Sequence, residues 1–242
     1  MLNDAIHVIR AQLEVDDTAL SFLRPLLADE ELEKASRLIQ PVHQKRYIAS
    51  MGILRSVLAT YVGQHPKDLQ FVRGQWGKPR LAGRAENEGL VFNVSHSQEQ
   101  MVIAIGYDRP LGVDVESIRP IKTLAGMAKR CFSQHEFEAW TNLPAPERKT
   151  AFFRFWTLKE AFVKADGRGL GLGVQQCVFS LREGVPKIVS VPSSCGKPAD
   201  WSVCELIIDD GFKGALCTRG EFQLIYRDFP VDLTRIFHQH PG

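Results

Sequence analysis

Two carboxylates stand two residues apart at the end of a short apolar run, in the segment GVDVE at 112–116. Successive side chains of a β-strand point to opposite faces, so Asp114 and Glu116 would share one face while Val113 and Val115 enter the core. Adjacent carboxylates repel each other, and a hard divalent cation such as Mg²⁺ relieves that repulsion. Taken alone, the pattern is more typical of a solvated strand face.

A second group of chemically capable side chains lies in the segment FWTLKEAFVK at 155–164. Residues four apart share a helix face, so Trp156, Glu160 and Lys164 would form one stripe. By itself, this stripe is more typical of an amphipathic helix whose Glu160–Lys164 pair is a surface ion pair worth roughly 0.3–0.5 kcal/mol.

Two further segments carry single candidate residues beside predicted turns. NVSHS at 93–97 contains Ser95 and His96, and WGKP at 76–79 contains Lys78. A histidine or lysine near a turn is more often structural or solvated than functional. Neither segment therefore indicates a site without the others.

The elements that must position these residues are predicted from hydrophobic periodicity and breaker residues. Helices are expected over 29–40, 43–61, 121–140 and 147–165, the first closed by Pro41 and the last by Gly167. Short strands are expected over 90–95, 101–107 and 111–116, and the chain is again rich in strands after 176.

The three consecutive strands predict an antiparallel meander, because only short turn-like links join them. The first and third strands of a meander run in the same direction, so His96 and Glu116 would lie at the same edge of the sheet. The fold class expected is α+β, with two antiparallel-sheet lobes covering residues 1–117 and 118–242. We find no convincing repeat between the two halves at the level of residues.

Composition excludes several classes of protein. The chain has 242 residues, 44% of them hydrophobic and 24% charged, as expected for a soluble globular protein. Its longest apolar stretches are far shorter than a membrane helix, and its N-terminus lacks the features of a signal peptide. A net charge of +2 is too small to indicate nucleic-acid binding. Five scattered cysteines without a Cys-x-x-Cys pair favour reduced thiols in the cytoplasm.

Taken in order, the four segments resemble the 4′-phosphopantetheinyl transferase superfamily. The length and the form of the 156–161 segment are similar to the surfactin-synthetase-activating (Sfp-type) group, which is built as a monomeric pseudo-dimer of two similar lobes. The resemblance runs from about residue 32 to residue 170, and beyond 173 only the pattern of strands agrees. It implies transfer of the phosphopantetheine arm of coenzyme A to a serine of a carrier protein, with release of 3′,5′-ADP.

The resemblance also implies roles for individual residues. Asp114 and Glu116 match the pair that holds Mg²⁺ and so serve catalysis. Glu160 matches the acid that acts as third metal ligand, as general base, or as both, and the sequence does not divide these roles. Lys164 matches the lysine that meets charge developing on the leaving phosphate.

Binding of the coenzyme requires further polar and cationic side chains. Those implied by the resemblance are Lys34, Arg46, Lys78, Ser95 and His96, together with Lys164. Glu31 departs from the pattern, since some relatives carry an additional lysine at this position. The expected clamp on the 3′-phosphate therefore has one cation fewer than in those relatives.

The implied partners are acyl carrier or peptidyl carrier proteins of fatty-acid, polyketide or non-ribosomal peptide synthesis, bound by a monomer. Residues 121–131 could offer them a basic and apolar docking face, with Lys122, Lys129 and Arg130. An ordinary amphipathic helix explains this segment equally well.

Two other functions remain open at this stage. A hydrolase of coenzyme A or nucleotide pyrophosphates would need the same carboxylates, with water as the acceptor. A protein that only binds coenzyme A or carriers would not need a full set of metal ligands and a base. The presence of Asp114, Glu116, Glu160 and Lys164 counts against this function.

Overall fold

Six helices and eleven strands are defined in the computed structural model, which describes residues 4–83, 88–169 and 173–229. The helices are α1 (Asp17–Leu23), α2 (Asp29–Ser36), α3 (Pro41–Val62), α4 (Leu124–Cys131), α5 (Gln134–Thr141) and α6 (Ala145–Asp166). The strands are β1 (Ala5–Gln12), β2 (Phe71–Arg73), β3 (Pro79–Leu81), β4 (Leu90–Ser97), β5 (Gln100–Tyr107), β6 (Leu111–Ser117), β7 (Val178–Ser180), β8 (Lys187–Ser190), β9 (Trp201–Glu205), β10 (Phe212–Arg219) and β11 (Gln223–Asp228).

The two longest helices, α3 and α6, have matching ends. Each has 22 residues, carries a proline in its first turn and ends at a glycine with positive φ, Gly63 or Gly167. Proline suits the first turn because its fixed φ is helical there, and glycine adopts the left-handed conformation without strain. These features set the length of each helix.

The helix predicted over 121–140 is two helices, α4 and α5. Ser133 accepts a hydrogen bond from the Glu136 backbone N–H, while the Glu136 carboxylate accepts one from the Ser133 backbone N–H. This reciprocal capping box starts a new helix and so breaks the predicted one.

Two sheets carry most of the strands. The first has the order β11-β1-β5-β4, with β11 parallel to β1 and the other pairs antiparallel. The second is antiparallel with the order β6-β10-β9. The predicted meander is therefore wrong at its third strand, because β6 pairs with β10 and not with β5. Strand β6 belongs to the second sheet and β11 to the first, while the division of the chain into two lobes after residue 117 stays a prediction.

The core explains why β6 leaves the meander. Leu111, Val113 and Val115 of β6 are buried against Ile6 and Val8 of β1, in a layer between the two sheets. Helices α1 and α3 cover the outer face of the first sheet, and α4, α5 and α6 cover the second. This mixed α+β arrangement of two helix-covered sheets confirms the predicted fold class.

No helix in the described part of the chain is both long enough and apolar enough to cross a lipid bilayer.

Candidate active site

Helix α6 lies directly against β6 at Gly112. A Cβ atom on this glycine would come 2.0 Å from the Ala161 carbonyl oxygen and 2.3 Å from the Ala165 backbone nitrogen. No side chain can occupy that space, so glycine allows strand and helix to touch through their backbones. The contact brings the 160–164 part of α6 over the strand that carries Asp114.

Lys164 and Asp114 meet at this contact. The Lys164 Nζ donates hydrogen bonds to Asp114 Oδ1 at 2.7 Å, to Ser95 Oγ at 2.9 Å and to the Val113 carbonyl oxygen at 3.1 Å. Ser95 Oγ in turn donates to Asp114 Oδ1 at 2.9 Å. The ion pair is thus held by β4, β6 and α6 together, and is not the exposed helix-surface pair considered for Lys164 from the sequence.

Two carboxylate oxygens near this pair are buried without a hydrogen-bond donor among the described residues, namely Asp114 Oδ2 and Glu160 Oε1. Burial raises the pKa of Asp114, and the charge of Lys164 and the bonds from Lys164 and Ser95 oppose that shift. The pKa of Glu160 is raised mainly by burial, and the negative charges of Asp114 and Glu116 raise it further. A bound cation would give these unpaired oxygens a partner and would reduce the repulsion between the carboxylates.

Glu116 is more exposed than Asp114 and already has partners. Its Oε2 accepts hydrogen bonds from Ser97 Oγ at 3.0 Å and from Arg119 Nη1 at 2.7 Å. Over the described ranges, no group of three or more histidine, cysteine, aspartate or glutamate side chains is arranged as a metal site. The donor oxygens of Asp114 and Glu160 fit a cation, while the complete set of three ligands stays a prediction.

Lys78 binds backbone carbonyl oxygens where α6 meets β6. Its Nζ donates to the Leu111 carbonyl oxygen at 2.6 Å and to the Lys164 carbonyl oxygen at 2.7 Å. Burial lowers its pKa to about 8, and the opposing charge of Asp166 and the like charge of Lys164 have smaller effects. The side chain joins the end of α6 to the start of β6, and the coenzyme contact expected for Lys78 stays a prediction.

Arg46 and His96, two of the other predicted cations, lie at the link between β4 and β5. Arg46 donates to Glu14 Oε1 at 2.6 Å and to Gln98 Oε1 at 3.4 Å, and Gln98 is two residues after His96. Lys34 is exposed and lies 5.2 Å from the ring centre of Tyr47, the residue after Arg46. Partial desolvation and the charge of Lys164 lower the pKa of His96. The structure thus brings Arg46 to the link that follows His96, at the end of β4 nearest to Glu116, while Lys34 lies beside Tyr47 of α3.

Glu31 has a structural role that sequence reasoning missed. Its carboxylate accepts two hydrogen bonds from Arg55, from Nε at 2.7 Å and from Nη2 at 3.0 Å. It also caps the Ala28 backbone N–H, which fixes the start of α2 against α3. The lysine seen in some relatives is therefore replaced here by a residue that stabilises the N-terminal helices.

Two neighbours of the site residues in α6 are used for packing. Trp156 stacks on Phe152 of the same helix, with ring centres 6.2 Å apart. Lys159 and Glu136 form a fully buried ion pair at 2.8 Å, and Lys159 also donates to the carbonyl oxygens of Val174 and Cys177. This pair anchors α6 to α5 beside Glu160, and no spacing in the sequence revealed it.

Comparison with known proteins gives consistent matches along the chain. Residues 110–217 match the 4′-phosphopantetheinyl transferase superfamily, and residues 15–107 match the family described as 4′-phosphopantetheinyl transferase, N-terminal. The chain is 36% identical to the 4′-phosphopantetheinyl transferase HetI of a Nostoc species over 221 residues, which are 91% of this chain and 90% of that protein. It is 27% identical to the 4′-phosphopantetheinyl transferase Sfp of Bacillus subtilis, over 93% of this chain and 92% of the other.

A partial structural likeness is found to the crystal structure of Thermotoga maritima holo-[acyl-carrier-protein] synthase, with a TM-score of 0.38 and 22% identity over 46% of this chain and 63% of that one. The sequence relationship is much more extensive, and it includes all four segments singled out above. By its identity to HetI over nine-tenths of both sequences, the chain belongs to the 4′-phosphopantetheinyl transferase superfamily of enzymes.

Proposed function

We propose that this enzyme transfers the 4′-phosphopantetheine group of coenzyme A to a serine of an apo acyl carrier or peptidyl carrier protein, with Mg²⁺, and releases 3′,5′-ADP. The observation that carries the proposal is the pair of unpaired buried oxygens, Asp114 Oδ2 and Glu160 Oε1, beside the Lys164 ammonium. Attack on a pyrophosphate requires such a combination of cation ligands, base and cationic partner.

Asp114 and Glu160 would hold the cation, and Glu116 would join them by turning its carboxylate. When bound, Mg²⁺ supplies neutralisation of charge on the pyrophosphate oxygens. The raised pKa of both carboxyl groups supports this assignment, because a cation offsets the burial and repulsion that cause the shift.

In the alternative in which it does not hold the cation, Glu160 is suited to accept the proton of the carrier serine. Its pKa lies above that of an ordinary glutamate because of burial and of the charges of Asp114 and Glu116. A base of higher pKa has a greater driving force for proton removal at neutral pH, provided that it remains ionised. Lys164 lies one helical turn further along and offers its ammonium to the phosphate that leaves with 3′,5′-ADP.

The coenzyme's phosphates would be held by Lys34, Arg46 and His96. Arg46 and His96 lie at the link between β4 and β5, at the end of β4 nearest to Glu116, so one ligand could contact both regions, and Lys34 would reach it from α2. The enzyme would act as a monomer, as the resemblance to the Sfp-type group implies.

The carrier protein would dock on α4 and the residues just before it. Lys122, Lys129 and Arg130 are exposed there and would attract an acidic partner. Ala128 is fully buried, and Leu124 and Met127 pack against the helical core, so this face offers charge rather than an apolar patch.

Incubation of the purified enzyme with coenzyme A, Mg²⁺ and a panel of apo-carriers tests the proposal. Intact mass spectrometry should find one phosphopantetheinyl group added to a carrier, with 3′,5′-ADP formed in equal amount. A chelator should stop the reaction. Release of free phosphopantetheine without change in carrier mass would instead support a pyrophosphate hydrolase, which the same carboxylates also allow.

A further inference from the structure

Strands β4 and β6 lie side by side without a shared backbone ladder. Within the part of the chain that the structure describes, β4 pairs only with β5, and β6 only with β10. The two strands run in the same direction, since side chains 93, 95 and 97 of β4 contact successively later positions of β6. Something other than sheet hydrogen bonds must set their register.

Three polar side chains of β4 make that connection. Asn93 Oδ1 accepts a hydrogen bond from the Val113 backbone N–H at 2.8 Å. Ser95 Oγ donates to Asp114 Oδ1 at 2.9 Å. Ser97 Oγ donates to Glu116 Oε2 at 3.0 Å and accepts from the Ser117 backbone N–H at 3.1 Å.

The spacing of these side chains matches that of the carboxylates. Residues 93, 95 and 97 share one face of β4, and residues 114 and 116 share one face of β6. Each serine hydroxyl therefore reaches a different carboxylate. At Asp114 the serine occupies one oxygen and leaves Oδ2 without a partner.

We propose that Asn93, Ser95 and Ser97 are positioning residues that hold the Asp114 and Glu116 carboxylates in the geometry required to bind the divalent cation. This proposal rests on the proposed function. In this proposal the NVSHS segment positions the carboxylates. Of its residues, only His96, on the opposite face of β4, would contact coenzyme A. A hydroxyl donor is suited to this task because it fixes a carboxylate without neutralising its charge.

Ser97 offers the cleanest test of the three. Ser95 also binds Lys164, so its replacement would disturb two groups at once. Asn93 is buried, and its loss would leave the Val113 backbone N–H without a partner. Ser97 is half-buried, so water can satisfy the Ser117 backbone N–H in its absence.

The experiment compares Ser97→Ala with Ser97→Thr, which keeps the hydroxyl, and with Ser202→Ala, which removes a half-buried hydroxyl from β9 in the second sheet. Ser97→Ala removes a hydrogen bond to a charged group, and water replaces that bond in part. We therefore expect Ser97→Ala to raise the half-saturating Mg²⁺ concentration for transfer by about 10-fold. Turnover at saturating Mg²⁺, coenzyme A affinity and melting temperature should stay close to those of the unmodified enzyme.

A second measurement needs no activity. Mn²⁺ is titrated into each protein and followed by its electron paramagnetic resonance signal, and Ser97→Ala should bind it about 10-fold more weakly while the Thr variant and the Ser202→Ala control bind normally. Unchanged Mg²⁺ and Mn²⁺ requirements in Ser97→Ala would overturn the proposal. So would a parallel loss of melting temperature, coenzyme affinity and turnover that threonine does not rescue, because that pattern indicates a purely structural role.

The same titration separates this inference from the proposed function. An unmodified enzyme that transfers nothing to any carrier would contradict the proposed function, whereas the Mn²⁺ affinities of the variants would still decide whether Ser97 positions the carboxylates.

Discussion

Replacement of Gly112 by alanine should damage the active site more than the fold, because this glycine lies where α6 touches β6. The added Cβ would come within 2.0 Å of the Ala161 carbonyl oxygen and within 2.9 Å of the Ala165 Cα. Both contacts are with helix backbone, which cannot move aside as a flexible side chain can. The helix as a whole must shift.

The size of the shift follows from these distances. An ordinary van der Waals contact begins near 3.4 Å, and the added Cβ would lie 2.0 Å from the Ala161 oxygen. Helix α6 must therefore move away from β6 by about 1.4 Å. Overpacking of this kind typically costs about 1–3 kcal/mol of stability. A displacement of about 1 Å between catalytic groups can lower turnover by about 100-fold. Here the shift would separate the Lys164 Nζ from Asp114 Oδ1, which lie 2.7 Å apart.

Gly106→Ala is the matched control. Gly106 lies in the neighbouring strand β5, and a Cβ there would have its nearest neighbour at 3.7 Å, an ordinary contact. Urea unfolding and steady-state transfer to an apo-carrier should be measured for both variants. We expect Gly112→Ala to lose about 100-fold in turnover, and Gly106→Ala to keep both turnover and stability. Equal turnover and stability in the two variants would refute the claim that direct contact between α6 and β6 sets the site.

Three other substitutions have distinct expected outcomes. Lys164→Met should lower turnover more than coenzyme A affinity in steady-state kinetics and calorimetry, because its proposed charge partner grows in the transition state. Lys78 has a folded pKa of about 8 against an ordinary value of 10.5, so between these pH values the unfolded chain binds more protons. The unfolding free energy of the unmodified protein minus that of Lys78→Met should therefore rise by roughly 2–3 kcal/mol from pH 8 to 10.5, and a flat or falling difference would contradict this environment. Lys159→Met should destabilise the protein by about 3–5 kcal/mol in chemical denaturation by leaving Glu136 charged and buried, and adding Glu136→Gln should restore part of the loss.

Much of the fold could be predicted where the signal is local. The cores of α3 and α6 followed from hydrophobic periodicity, proline and glycine, which act within a few residues. The break between α4 and α5 was also readable, since Ser133 and Glu136 form a capping box that the prediction overlooked. The alternating pattern AIHVIRAQ of β1 was overlooked in the same way.

Other features depend on contacts between distant parts of the chain. Nothing in β6 itself indicates that it pairs with β10, because its alternating valines suit either sheet. The turn that carries Lys78 gave no sign that its ammonium would bind the Lys164 carbonyl. The motif order therefore predicted that Asp114, Glu160 and Lys164 lie close together, but the structure was needed to show the backbone contacts of Lys78.

The central claim is that Glu160 acts in phosphopantetheinyl transfer as cation ligand or base. Transfer by Glu160→Gln to a purified apo-carrier, timed by intact mass at saturating coenzyme A and Mg²⁺, tests it most directly. Glu147→Gln makes the same change at an exposed position of the same helix and serves as the control. We predict that Glu160→Gln folds normally and loses about two to four orders of magnitude in turnover, while Glu147→Gln keeps it. Turnover in Glu160→Gln equal to that of the control would contradict the account.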